Sequence, residues 1–302
     1  MSKITKQNGN IAFDEGSHKY WDVTDNKKNF ISVTTLIERY AQPFDSEYWS
    51  MYKALESLIP AKDWAKEKKD VLERHVISAE LLDKYKITED KLMEAQQKVK
   101  DDWKAKNLES TTRGTAIHTE IENSFYANGK NVKLDKFGIG GKFECRKDYT
   151  DLDIENGVYP EYLIHRISDD GILCLAGQID LLVKQGNDII IGDWKTNKEI
   201  KTKGFFDSKE KSTQKMKFPL NNLEECNLSH YNMQLSTYAW MLQKINPEFN
   251  IKKLFIWHID HDGKETKYEL PYLKEEVEKM LCHYKKELMK QKQREKYKPI
   301  IY

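Results

Sequence analysis

The apolar run Ile189-Ile190-Ile191 ends in Gly192-Asp193-Trp194-Lys195-Thr196, and Gly177-Gln178-Ile179-Asp180 lies a strand's length upstream. This pair of segments limits the fold more than any other feature. Ile172 to Val183 reads as one β-run and Asp188 to Trp194 as a second. Lys184-Gln185-Gly186-Asn187-Asp188 between them is rich in turn formers. A two-residue turn at Gly186-Asn187 sets Asp180 opposite Asp193, with Cβ atoms about 4.5–5.5 Å apart. The strand period of two then carries Lys195 to the same face and Trp194 to the other. Two carboxylates that close repel unless a cation or a proton sits between them. A bulge would shift the register and separate them, and the residues alone also fit a solvated hairpin with ordinary surface charges.

A chain of 302 residues has room for one large domain or two small ones with a substantial core. Charged residues make up 33% of it, and no apolar run approaches a membrane span, so a soluble protein with no membrane partner is expected. Met1 to Gln7 has neither the apolar stretch of a signal peptide nor the arginines of a transit peptide. Cys145, Cys174, Cys226 and Cys282 are scattered without a CxxC pair, which argues against a disulfide framework and against zinc or iron–sulfur sites. A reducing cytoplasm fits this usage.

The formal net charge is only +1, yet the lysines are unevenly spread. Lys195, Lys198, Lys201, Lys203, Lys209, Lys211, Lys215 and Lys217 face only Glu199, Asp207 and Glu210 in the segment leaving the Asp-x-Lys strand. A second basic run (Lys285, Lys286, Lys290, Lys292, Arg294, Lys296, Lys298) ends the chain. Such runs suit a phosphate backbone, and they also suit plain solvated faces.

Short strands are expected at 11–13 and 19–23, with a turn at Thr24-Asp25-Asn26-Lys27, and a helix starts after Ser32-Val33-Thr34-Thr35. Residues 46–112 read as mostly helical, broken near Pro60. One helix is capped by Thr88 and carries the stripe Leu92, Ala95, Val99, Trp103. Residues 113–272 read as mixed α/β with a hairpin at Asp262-Gly263, followed by a helix through Leu273, Val277, Leu281, Tyr284 and Leu288. The expected division is therefore 1–112, a β-hairpin and helical region, and 113–302, an α/β core with a C-terminal helix. No repeat or low-complexity linker interrupts it.

Three more constellations bear on chemistry. In Gly114-Thr115-Ala116-Ile117-His118 and the turn after it, Ile117 and Ile121 form a core-facing pair, while His118 and Glu122 share another face. Glu161 stands near the start of the strand Tyr159-Pro160-Glu161-Tyr162-Leu163-Ile164. Gln234 and Tyr238 lie one helical turn apart. Each alone is better explained by a structural role: a capped or half-buried histidine, a solvent-facing acid, a half-buried amphipathic helix.

Taken in order, Gly-Thr-x-x-His, Glu, Gly-x-x-Asp, Asp-x-Lys-Thr and Gln-x-x-x-Tyr resemble the PD-(D/E)xK nuclease superfamily, and specifically its RecB-like branch. Ser32 to Ile37 and Asp193-Trp194-Lys195-Thr196 look like the phage-encoded exonucleases and the mitochondrial genome maintenance exonuclease within it. The resemblance covers roughly 11–290. Ile179 replaces the proline of the family name, as is common in that branch, and the cysteines of its iron–sulfur members are absent.

The resemblance implies a restriction-endonuclease-like α/β fold: a central mixed sheet flanked by helices, with an added N-terminal helical region that helps enclose a single strand. It implies that His118, Asp180, Asp193 and the carbonyl of Trp194 hold a divalent ion, Mg²⁺ or Mn²⁺ from the mixed oxygen and imidazole donors. Lys195 would act on the attacking water or the phosphate, with a pKa lowered by the cation. Glu161 would support a second metal or orient water, and Gln234 and Tyr238 would orient Lys195 and the scissile phosphate. Ser32, Thr34, Arg113, Lys198, Lys201 and Lys203 would meet DNA, although Ser32 and Thr34 are better explained as a helix cap alone. Tyr48, Trp49, Tyr52, Trp64 and Trp103 could stack on bases or fill a core. The implied activity is that of a metal-dependent DNA exonuclease acting on single-stranded or free-ended substrates in replication, recombination or repair. A structure-specific endonuclease and an inactive DNA-binding scaffold remain alternatives, and the oligomeric state is open.

Overall fold

The computed structural model describes residues 6–25, 27–147, 154–207 and 211–296. Asn26 of the expected turn, Lys209 and Glu210, Lys298, the first five residues and the side chains of Asp207 and Lys296 lie outside them. In chain order the strands and helices are β1 (Lys6–Asn8), β2 (Ile11–Asp14), β3 (Lys19–Asp22), β4 (Ile31–Ser32), α1 (Val33–Glu38), α2 (Ser46–Leu58), α3 (Ala61–Arg74), α4 (Ala79–Tyr85) and α5 (Glu89–Asn128). They continue through β5 (Val132–Leu134), β6 (Ile139–Phe143), β7 (Gly157–Ile167), β8 (Cys174–Gln185), β9 (Asp188–Lys195), β10 (Phe206–Asp207) and β11 (Ser212–Thr213). The last four are α6 (Asn227–Ile245), β12 (Asn250–Ile259), β13 (Glu265–Leu270) and α7 (Lys274–Lys296).

The chain forms two compact units, one of 1–42 with 116–302 and one of 43–115. This division differs from the expected split at 112: the first 42 residues belong with the α/β part. The smaller unit has its own core of Tyr52, Leu55, Trp64, Val71, Leu81 and Leu92. Tyr48, Tyr52 and Trp64 are buried there, Trp49 packs against the same core, and Trp103 meets Phe44. Core packing therefore accounts for most of these rings, and stacking on bases is not needed to explain them.

In the larger unit a mixed sheet runs β13-β12-β9-β8-β4, with β7 also on β8. Helices α1, α6 and α7 contribute the apolar layer on one face through Val33, Leu36, Met233, Leu242, Val277 and Leu281. Phe125 of α5 and residues of β5 and β6 pack with Trp194, Phe255 and Trp257 in a second cluster. Covering on both faces explains why β8 and β9 read as nearly continuous apolar runs instead of alternating ones.

The β8–β9 hairpin turns at Gly186-Asn187 and pairs Gln185 with Asp188 through Leu181 with Gly192, the register that the turn spacing dictates. Gly186 has φ 62°, a conformation that glycine adopts without a Cβ clash. Ile189 and Ile191 join the helix-covered core while Trp194 joins the other cluster, as a period of two requires.

One edge of β8 is shared. β4 pairs with Leu175 and Ala176, and β9 pairs from Leu181 onward. Gly177-Gln178-Ile179-Asp180 lies in the interval between them. A second irregularity coincides with it. Tyr159 and Tyr162 on β7 pack into the same core although three residues apart, and so do Ile179 and Leu182 on β8. Strict alternation would put the members of each pair on opposite faces, so both strands change face at Glu161 and Asp180. Glu161 carries φ 53° there, a left-handed backbone that costs a non-glycine residue about 1–3 kcal/mol. Such strain persists where surrounding contacts hold it, and here it sits beside the acidic cluster.

Candidate active site

Asp180 lies just beyond the last paired rung of the hairpin. Its Oδ2 accepts the backbone N–H of Trp194 at 2.8 Å, so a side chain replaces the next ladder bond. Asp193, on β9, ion-pairs through Oδ2 with Lys195 Nζ at 2.6 Å. Gln234 of α6 ties these groups together: its Nε2 donates to Asp193 Oδ1 at 3.1 Å and to Tyr238 Oη at 3.4 Å, and its Oε1 receives Lys195 Nζ at 3.5 Å. The Lys195 ammonium also lies 4.7 Å from the centre of the Tyr231 ring.

Two glycines make room here for aromatic side chains of α6 and β12. A Cβ on Gly177 would come within 2.5 Å of Tyr238 Cε1, and one on Gly192 within 2.4 Å of Phe255 Cζ. The glycines of Gly-x-x-Asp and Gly-Asp-x-Lys are thus spaces for aromatic rings, not hinges.

His118 of α5 completes the cluster. Its Nε2 lies 3.1 Å from the carbonyl oxygen of Trp194, and its Nδ1 is 3.5 Å from both Glu161 Oε1 and Asp180 Oδ2. One ligand atom from each of His118, Glu161 and Asp180 falls within 4.8 Å of the others. An imidazole and two carboxylates grouped this closely, with a backbone carbonyl at the other ring nitrogen, form a donor set that fits a hard or borderline divalent cation.

The electrostatics point the same way. Burial raises the pKa of Asp193 to about 6, helped by Asp180 and opposed by Lys195. Burial and then Glu161 also raise that of Asp180, against the pull of His118 and Lys195. Packed carboxylates held out of water favour a proton or a cation among them. For Lys195, burial acts to lower the pKa, but Asp193 and Asp180 outweigh it and the net shift is upward. The lowered lysine pKa expected beside a cation is therefore not a property of the protein groups by themselves; these hold Lys195 as an ammonium.

Desolvation acts to lower the pKa of His118, yet Asp180, Glu161 and Asp193 raise it to about 9 from 6.5. A folded-state pKa above the unfolded one gives stability that is complete below pH 6.5 and lost as pH rises through about 9. In EDTA, the melting-temperature difference between the wild type and His118→Ala is expected to shrink between those limits. A difference that stays constant from pH 6.5 to pH 9 would contradict the ion-paired imidazolium.

Other anticipated residues are placed elsewhere. Ser32 caps α1, its Oγ accepting the Thr35 N–H at 3.0 Å and lying 3.0 Å from Thr34 Oγ1. Those hydroxyls are engaged with the cap. Lys198, Lys201 and Lys203 are exposed on the segment after β9, and Arg113 is half-buried earlier on α5. Four groups near the cluster carried no signal in the sequence. Lys6 reaches Glu161 and Glu122 at 3.4 and 3.6 Å, and Gln178 Nε2 donates to Glu161 Oε2. The phenol of Tyr20 has its pKa raised by burial and then by Glu161 and Asp180. Tyr231 faces Lys195. All but Gln178 come from segments remote in sequence from the two motif strands, so no local pattern marks them.

Buried carboxylates, an imidazole and an ammonium thus gather around β7, β8 and β9. The chain belongs to the PD-(D/E)XK nuclease superfamily, whose family model matches residues 53–300, a span that contains every one of these groups except the N-terminal Lys6 and Tyr20. Nucleases of this superfamily use divalent metals, and the fold is the mixed α/β arrangement expected of it. Among curated proteins no match is found. One solved structure, "Crystal structure of SSO0001", is similar at 15% identity and a TM-score of 0.37, over 86% of this chain and 77% of that one. A likeness at that distance says nothing about activity.

Proposed function

We propose that this chain is a Mg²⁺- or Mn²⁺-dependent deoxyribonuclease of the RecB-like branch, an exonuclease that degrades single-stranded or otherwise free-ended DNA in replication, recombination or repair. The observation that carries the reading is the convergence of His118, Glu161 and Asp180 within 4.8 Å, beside a half-buried lysine that pairs with Asp193 and faces Tyr231. His118, Asp180, Asp193 and the Trp194 carbonyl would hold the cation, with Glu161 at its side. A bound divalent ion supplies the charge that an attacking water and a developing phosphorane require. Lys195, kept protonated by Asp193, presents an ammonium to the phosphate or holds the water by hydrogen bonding. Gln234 fixes both partners of that pair, and Tyr238 braces Gln234 from below.

The segment leaving β9 supports a strand substrate. Lys198, Lys201 and Lys203 are exposed, and Phe205 and Phe206 follow with 65% and 58% of their surface in solvent. Exposed lysines neutralise phosphates, and exposed phenyl rings offer stacking faces to unpaired bases. Among the described residues no helix is long and apolar enough to cross a membrane.

End-labelled linear and closed circular single-stranded DNA, each incubated with Mg²⁺, Mn²⁺ or EDTA, test the reading. The linear strand should be degraded with either metal, the circle should survive, and EDTA should stop the reaction. Cutting of the circle would make the protein an endonuclease. Binding without cleavage of either strand would make it a scaffold.

A further inference from the structure

The acidic cluster extends past the residues that face His118. Glu161 turns Oε1 toward His118 Nδ1, while Oε2 meets the Lys6 ammonium at 3.4 Å and the amide of Gln178. The same ammonium lies 3.6 Å from Glu122 Oε1, which also accepts the Tyr126 hydroxyl at 3.1 Å. Lys6 therefore sits between two carboxylates from different elements, with 27% of its side chain exposed. Its position is built rather than incidental. β1 pairs Lys6 with Phe13, and two residues on, the buried Asn8 donates to the Leu163 carbonyl of β7 at 2.7 Å. That bond fixes β1 against the strand carrying Glu161.

Resting on the nuclease reading above, we propose that the Lys6 ammonium takes the place of a second cation, so that the centre binds one divalent ion, and that Lys6 is a positioning residue for Glu161. Two features support this. The Lys6 ammonium already stands at Oε2, the side of Glu161 turned away from His118 where a second ion would bind, and Oε1 stays turned toward His118. The charges agree as well. Glu122, Glu161, Asp180 and Asp193 bring four negative charges, and Lys6 and Lys195 return two of them. The balance of two is what one divalent ion cancels, since a metal-bound histidine is neutral. Removing Lys6 leaves three, and frees Glu122 and Glu161 Oε2 together.

Mn²⁺ titrated into the full chain, with bound ion counted by calorimetry and by electron paramagnetic resonance, reads this directly. The wild type and Lys6→Arg should each bind one ion. Lys6→Met and Lys6→Gln should each bind two, and Lys6→Met combined with Glu122→Gln should return to one. Two ions on the wild type, or one on both uncharged Lys6 variants, would overturn the proposal while leaving the nuclease centre standing. A wild type that binds none would overturn the metal centre itself.

Discussion

Replacing Lys195 with methionine is expected to slow phosphodiester cleavage by about 10²–10⁴-fold while changing strand binding by no more than about threefold. Methionine keeps an unbranched stem against Tyr231 and removes the charge that pairs with Asp193 at 2.6 Å. The surviving lysines of the basic segment continue to meet the phosphate backbone, so affinity, read by fluorescence anisotropy with Ca²⁺ as the cation, should hold. Cleavage falls because the ammonium acts where charge develops, and no other described cation lies between Asp193 and Gln234. The protein groups keep Lys195 charged, which fits a role in charge stabilisation or hydrogen bonding to water more directly than one as a neutral base. A variant with near-wild-type turnover would remove Lys195 from the chemistry.

The hairpin was legible because three local rules agree on it. A glycine turn sets the register, the period of two sorts Trp194 from Asp193 and Lys195, and apolar β-branched residues fill both strands. The helix caps and the α7 stripe are legible for the same reason, since a cap or a stripe is written within one or two turns of chain. What the sequence does not display is the tertiary context that makes local rules fail. Glu161 sits at φ 53° because β7 and β8 change face together, and nothing in Tyr-Pro-Glu-Tyr announces that. Gly177 and Gly192 read only as members of their motifs, whereas their use is set by Tyr238 and Phe255 from later elements. Lys6 and Tyr20 reach the cluster through a three-stranded sheet docked by the bond of buried Asn8 to Leu163 and by the packing of Ile11, Phe13 and Tyr20 on Leu163 and Ala176. For the same reason the first 42 residues, read as strands joined to the helical segment in one N-terminal region, belong with the α/β unit.

Asp180→Asn is expected to have two effects of opposite sign. Asparagine can still accept the Trp194 N–H, so the end of the hairpin stays in place. It removes a negative charge from a position only 8% exposed, where burial and Glu161 disfavour the ionised form. The metal-free protein should therefore become more stable, read as a higher melting temperature. Function moves the other way. Groups that merely orient a metal ligand contribute about 10–100-fold in affinity or activity, so loss of a direct ligand should cost at least that much. A site that gains stability on losing a charge, and loses its ion by the same change, has a binding function that offsets its cost in the fold.

Calorimetric titration of Mn²⁺ into wild-type protein and Asp180→Asn tests that coupling most directly. Saturable binding to the wild type, weakened at least about a hundredfold in a folded, more heat-stable variant, would place Asp180 at the metal. Equal Mn²⁺ affinity in the two proteins would show that the cluster of His118, Glu161 and Asp180 is not the metal centre.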